Sequence, residues 1–187
     1  LETQLALRLP NSVIVSNPFN MAEVIGLEWP QTASLNIAFV GRLDFIHKGI
    51  DILFNSFANK KWQNRNYQLN IYGTGDIELA KELINFLKIK NVVFHGQVNN
   101  IHDIWRHNHI LALASRYEGM PLVMIEAMFC KRAVIATDVA GHGELITDGK
   151  TGFLAAAAHP KLFENKLEEV WQRKDEFEQM GINAFNN

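Results

Sequence analysis

Two glutamates, Glu118 and Glu126, stand with seven residues between them, and Gly119-Met120-Pro121 follows the first. A carboxylate inside an apolar helix is costly unless it is paired, hydrogen-bonded or pointed at a ligand. Glu126 is the single polar residue in the run Leu122 to Phe129. Just upstream, His109-Ile110-Leu111-Ala112-Leu113-Ala114 shows no polar–apolar alternation, the pattern of a short strand buried on both faces. The stretch therefore reads as strand, tight glycine-containing turn and buried helix. Pro121 suits the first helical position, where its missing N–H has no intrahelical partner and its φ is already right. The free amides and positive dipole end of such a helix, facing the mouth of a sheet, suit a phosphate group. Glu118 falls in the turn and Glu126 about a turn and a half into the helix. The spacing alone also fits an exposed turn residue and a salt-bridged core carboxylate; the strand, turn and helix around it favour a ligand site.

A second junction of the same kind lies upstream. The apolar run 35–40 reads as a strand, followed by Gly41-Arg42-Leu43-Asp44-Phe45-Ile46-His47-Lys48-Gly49. Ile50, Leu53, Phe54 and Phe57 then recur at helical spacing, predicting a helix over 49–59. Arg42 offers a planar fork for phosphate oxygens and Lys48 a point charge beside it. A third strand-to-helix turn, Gly73-Thr74-Gly75-Asp76, follows the strand 68–72 and leads into a helix with Asp76 as a candidate N-cap. Gly-x-Gly without a third glycine is a poor dinucleotide fingerprint, so Gly73 and Gly75 serve either a tight turn or the close approach of a ligand. His102, His107 and His109 invite a metal reading, but they lack a helical i, i+4 pair and no Cys or paired acid joins them. They read as solvated or core-edge histidines.

The elements that must carry these residues alternate. Strands are expected at 12–16, 35–40, 68–72, 91–96, 109–114 and 133–137, with a short one at 151–154; helices fall between them, including a short one at 101–107. Such a rhythm implies an α/β fold, a Rossmann-like doubly wound parallel sheet with helices on both faces. Leu162, Phe163, Leu167, Val170, Trp171 and Phe177 predict one amphipathic helix docked on that sheet. Residues 1–33 read as a linker segment with the first short strand, closed by Asn17-Pro18, and 34–187 as one domain. The chain has 187 residues, 48% of them apolar and 20% charged, which suits a globular domain with a sizeable core. A net charge of −2, evenly spread, gives no nucleic-acid footprint. The single cysteine, Cys130, excludes an internal disulfide framework and fits a reducing, cytoplasmic setting. No apolar run spans a bilayer.

The Glu118-x7-Glu126 pattern with its Gly-x-Pro resembles the E-x7-E motif of the retaining glycosyltransferases of family 4, the group 1 enzymes, whose fold is GT-B. Gly-Arg-Leu-Asp…His-Lys-Gly-Ile-Asp at 41–51 is similar to that family's second signature, and the two stand in family order. The resemblance covers about 11–154 and implies the C-terminal, donor-binding half of such an enzyme. It implies that Gly41, Arg42 and Lys48 clamp the donor diphosphate, aided by the turn amides of Gly119, Met120, Pro121, Leu122 and Val123. Glu118 would hold the donor sugar, Glu126 the ribose hydroxyls, Gly73 and Gly75 the base and ribose side, and Gln97-Val98 the base through backbone groups. Glu118, Arg42 and Lys48 would then be the catalytic set, with no metal and no cofactor beyond a UDP-, GDP- or ADP-sugar. The family usually has Gly-Gly where this chain has Ala140-Gly141, which matters if that backbone needs a positive φ. The chain opens at Leu1, so a fragment is expected, lacking the N-terminal acceptor domain and its histidine, and inactive alone. In the intact enzyme a glycan or lipid-linked saccharide would be the acceptor, and peripheral membrane association fits that chemistry. Another GT-B enzyme (a nucleotide-sugar epimerase or a phosphorylase) and a non-enzymatic nucleotide-binding module stay open as alternatives.

Overall fold

A computed structural model describes residues 26–119 and 121–187. Its order is β1 (Leu35–Val40), α1 (Ile50–Phe57), α2 (Lys60–Gln63), β2 (Tyr67–Tyr72), α3 (Ile77–Leu87), β3 (Val92–Gly96), α4 (Ile101–Trp105), β4 (Ile110–Leu113), α5 (Leu122–Phe129), β5 (Ala133–Thr137), α6 (His142–Leu145), β6 (Phe153–Ala155), α7 (Pro160–Gln172) and α8 (Phe177–Phe185). The six strands form one sheet in the order β3-β2-β1-β4-β5-β6, and each pairing is parallel. This is the doubly wound, Rossmann-like arrangement expected. The chain reverses direction across the sheet between β1 and β4, and the crevice outside the carboxyl ends of those two strands is where such sheets take ligands.

Alternation along each strand sorts side chains onto the two faces. Ile37, Phe39, Leu69, Ile71, Ile110, Ala112 and Ile135 build one core with α1, α2, α3 and α7, through Phe54, Phe57, Trp62, Phe163 and Leu167. On the opposite face Ala38, Leu111, Leu113, Val134 and Ala136 pack against Trp105, Met124, Ala127 and Met128. That second core thins toward the sheet edge. The long crossover from β3 back to β4 carries only the five-residue α4, too short to roof three strands. There the strand residues are polar: Asn36, Gln68, Asn70 and His95 replace the aliphatics found elsewhere.

Several expectations are corrected. Pro121 is the N-cap, with ψ 105°, and Leu122 is the first helical residue. Helix α1 stops at Phe57, because Asn59 turns to cap α2, its side chain accepting from the Lys61 amide at 2.9 Å. Asp76 caps α3 by position, without a side-chain hydrogen bond. The amphipathic pattern beyond 160 is two helices, since a 3-10 turn at Lys174–Glu176 breaks it. The short helix at 101 ends at Trp105, and the last strand is Phe153–Ala155. The strand expected at 12–16 lies outside the described residues, and 26–33 carries no helix. Among the described residues, no helix is long and apolar enough to cross a membrane.

Candidate functional site

The loop after β1 and the loop after β4 meet over the crevice between those strands. Lys48 Nζ donates to Glu118 Oε1 at 2.6 Å, and the two side chains keep 27% and 8% of their exposure. Ser115 Oγ donates to the same oxygen at 2.8 Å. Both donors thus use Oε1, and Oε2 has no partner among the described residues. Glu118 is neither an exposed turn residue nor a free carboxylate; it is a held acceptor with one oxygen left over.

Local chemistry explains how two loops far apart in sequence are fixed together. Arg116 donates to both Asp51 carboxylate oxygens, at 2.8 and 2.6 Å, and to the Phe45 carbonyl at 2.7 Å. The Arg116 amide bonds the His47 carbonyl at 2.7 Å. The paired guanidinium beside Asp51 holds that carboxyl below its usual range, although burial acts the other way. Gly49, with φ 62°, begins α1 directly against β4: a Cβ there would lie 2.0 Å from the Ala114 carbonyl oxygen. A second brace comes from β5. Thr137 Oγ1 donates to the Ser115 carbonyl at 2.6 Å, and His142 Nδ1 donates to the Thr137 carbonyl at 2.7 Å. His142 is fully buried, its Nε2 has no partner among the described residues, and burial pushes its pKa down.

The two cations of the first loop separate. Arg42 is 70% exposed and donates to Asp44 Oδ2 at 2.7 Å, whereas Lys48 reaches across to Glu118. Asp44 is strongly acidic because the His47 amide and ring and Arg42 all hydrogen-bond it. The structure therefore brings Lys48 and Glu118 together and leaves Arg42 at the rim; Gly41 lies beside the Lys48 stem, whose Cε a Cβ there would meet at 3.9 Å. Gly73 and Gly75 sit beside this loop: a Cβ at Gly73 would meet the Gly41 carbonyl oxygen at 2.0 Å, and one at Gly75 the Leu43 carbonyl oxygen at 2.5 Å. The approach of neighbouring backbone accounts for both glycines without a ligand. Gln97 and Val98 follow β3 on the same sheet edge, Gln97 exposed and Val98 half-buried.

Glu126 is the fifth residue of α5 and half-buried. Its carboxylate forms no hydrogen bond or ion pair with the described residues, so the salt-bridged core reading fails for them. Burial pushes its pKa up. Pro121 is buried, Leu122 exposed and Val123 half-buried at the start of the same helix. Gly119 has open space around it, and Met120 lies outside the described residues. His109 is a core-edge residue: its Nδ1 accepts from the Asn36 amide at 2.9 Å and its Nε2 bonds the Pro30 carbonyl at 3.2 Å. Among the described residues no cluster of His, Cys, Asp or Glu could hold a metal ion.

Sequence reasoning missed Ser115, Asp51, Arg116, Thr137 and His142. Hydroxyl residues closing β4 and β5 at their carboxyl ends were the available signal. Ala140 does adopt the positive φ at issue, 50°. A left-handed alanine costs about 1–2 kcal/mol, so Ala140→Gly should stabilise the fold by about 0.5–1 kcal/mol after the added flexibility of unfolded glycine is subtracted. A urea midpoint unchanged or lowered in that variant would contradict the assignment.

Residues 34–173 match the family model described as glycosyl transferases group 1. An uncharacterized glycosyltransferase of Methanocaldococcus jannaschii is 30% identical over 143 residues, covering 73% of this chain and 38% of its own length. A Campylobacter jejuni alpha-1,4-N-acetyl-D-galactosaminyltransferase acting on an undecaprenol-linked glycan is 28% identical over 159 residues, 84% of this chain and 44% of its own. The chain thus spans less than half the length of either. A Staphylococcus aureus TarM mutant, solved with UDP, superposes with a TM-score of 0.82 at 21% identity, over 99% of this chain and 37% of that one.

Proposed function

The chain belongs to the glycosyl transferases group 1 family, and from that premise we propose that residues 34–187 are the donor-binding half of a family 4 enzyme of GT-B fold. The enzyme moves a hexosyl group from a nucleotide diphosphate sugar to a glycan or lipid-linked acceptor with retention at the anomeric carbon. The observation that carries this reading is the Lys48–Glu118 pair, 2.6 Å apart at the point where the sheet reverses. A cation, a held carboxylate with one spare oxygen and the start of α5 converge there. The relative solved with UDP supports a uridine nucleotide as the donor's leaving half.

In this reading the departing diphosphate gathers negative charge as the glycosidic bond breaks, and Lys48 with the α5 amides stabilises it. Those groups carry the positive charge a metal would otherwise bring, so metal independence is part of the proposal. Glu118 Oε2 accepts from a sugar hydroxyl and orients the donor. Glu126, half-buried and with a carboxylate unpaired among the described residues, accepts from the ribose hydroxyls. Backbone groups of Gln97-Val98 read the base. The acceptor and a histidine near the reacting centre come from the other half of the enzyme, so this chain alone binds donor and transfers little.

The test separates the two glutamates. Glu126→Gln should weaken free UDP by about 1 kcal/mol, roughly fivefold, because the ribose contact exists with or without sugar. Glu118→Gln should leave UDP nearly unchanged and weaken only the UDP-sugar. Calorimetric titrations in which both variants lose both ligands equally would sink the assignment.

A further inference from the structure

A concave groove of about 400 Å³ lies on the sheet face that α4 fails to roof, lined by Asn36, Gln68, Tyr72, His95, Asp103 and His107 among others. Strands of a parallel sheet are normally apolar on both faces, so polar residues at successive same-face positions of β2 call for a reason. Solvation alone does not supply it, because Asn70, Asn108 and Tyr72 are 2%, 0% and 6% exposed. They form a fixed network. Asn70 Oδ1 accepts from Gln68 Nε2 and from His95 Nε2, both at 2.8 Å, and Asn70 Nδ2 donates to Asn108 Oδ1 at 2.8 Å. Asn108 Nδ2 donates to the Tyr72 hydroxyl at 3.0 Å. The His95 ring stacks on Tyr72 with centroids 4.4 Å apart.

This network sets which groups remain. Gln68 gives one amide N–H to Asn70 and offers its second N–H and its carbonyl oxygen. His95 donates through Nε2 to Asn70 and keeps its Nδ1 edge free of any hydrogen bond among the described residues. The Tyr72 hydroxyl, already accepting from Asn108, offers its proton. Among the described residues no lysine or arginine lines the groove, and Asp103, the acid among them, would repel an anion. Apart from Asp103, the donors and acceptors are uncharged amide, imidazole and phenol groups in a mixed set, which matches hydroxyls, since each of these both gives and takes a hydrogen bond.

We propose that this groove binds a neutral, hydroxyl-rich ligand, a saccharide ring, at a site distinct from the Lys48–Glu118 crevice. The groove adjoins the proposed base position at Val98, so UDP and uridine are the probes that tell the two sites apart. The test follows the side-chain amide resonances of Asn36, Gln68 and Asn70 by NMR while methyl glycosides of glucose, galactose and their N-acetylamino forms are titrated in, with uridine and inorganic phosphate as controls. At least one glycoside should give saturable shifts of these resonances, and the shifts should persist with UDP present. Gln68→Ala and His95→Phe, the latter keeping the stack, should each weaken that binding about fivefold with an otherwise native spectrum. Silence toward every glycoside, a response confined to uridine, loss of the shifts on adding UDP, or undiminished binding in both variants would overturn the proposal.

Discussion

Replacing Lys48 by alanine is expected to weaken UDP and GDP binding by about 1.5–3 kcal/mol, the worth of a charge-assisted hydrogen bond, or roughly 10- to 150-fold. The same variant should also lose stability. Glu118 keeps only 8% of its exposure and would retain the Ser115 hydroxyl as its donor. Stripping a partner from a fully buried ion pair costs about 3–5 kcal/mol; with Lys48 27% exposed, about 2 kcal/mol is the reasonable figure after solvent screening. The two losses come apart in the double variant Lys48→Met with Glu118→Gln, which should recover stability and leave nucleotide affinity low. Arg42→Ala should cost less affinity than Lys48→Ala, because Arg42 is 70% exposed and engaged by Asp44. Calorimetry showing full nucleotide affinity in Lys48→Ala would remove this lysine from the site.

Gly49→Ala should be the most damaging of the small substitutions. Two penalties add: alanine at φ 62° costs about 1–2 kcal/mol, and its Cβ would sit 2.0 Å from the Ala114 carbonyl oxygen, backbone that cannot swing aside. A total of about 3 kcal/mol or more is expected, seen as a lower urea midpoint with an unchanged slope. Because Gly49 follows Lys48 directly, any relief by moving α1 also draws the ammonium away from Glu118, so nucleotide affinity should fall with stability. Gly119→Ala is the control: nothing lies within 4 Å of its added carbon, and its stability should stay within about 0.5 kcal/mol of the parent. Equal losses in the two variants would mean that the β1–β4 approach is not what Gly49 protects.

Strands β4 and β5 were legible because they are apolar on both faces, whereas β2 and β3 were read from short β-branched and aromatic runs closed by glycine, although one face of each carries polar residues. The helices were legible as elements and poorly at their ends. Pro121 fits the first helical turn and the N-cap almost equally well by sequence, and only its ψ decides. Two amphipathic helices in the same phase, α7 and α8, look like one when a single 3-10 turn separates them. At the site, Arg42 and Lys48 looked equivalent as cations in one loop. Asp44, two residues after Arg42, captures it locally, while Lys48 finds its partner 70 residues away. Thr137 was missed for that reason too, since it reaches the Ser115 carbonyl at the end of the neighbouring strand; Ser115 and His142 bond Glu118 and Thr137 three and five residues away, and only their place at the strand ends hinted at it.

That separation has a kinetic side. Lys48 and Glu118 follow strands that pair only after the chain has gone out through β2 and β3 and come back. Closing so long a loop is entropically costly before its contacts reward it. The central pairing of the sheet is therefore among the last to consolidate, and the crevice is a property of the finished molecule, not of its early-forming β1–β2–β3 half. A nascent chain still short of β4 shows solvent an unpartnered β1 edge and a lysine with no carboxylate to meet. A ligand held between the two loops would bind the completed fold alone, stabilising it by mass action and drawing late intermediates forward.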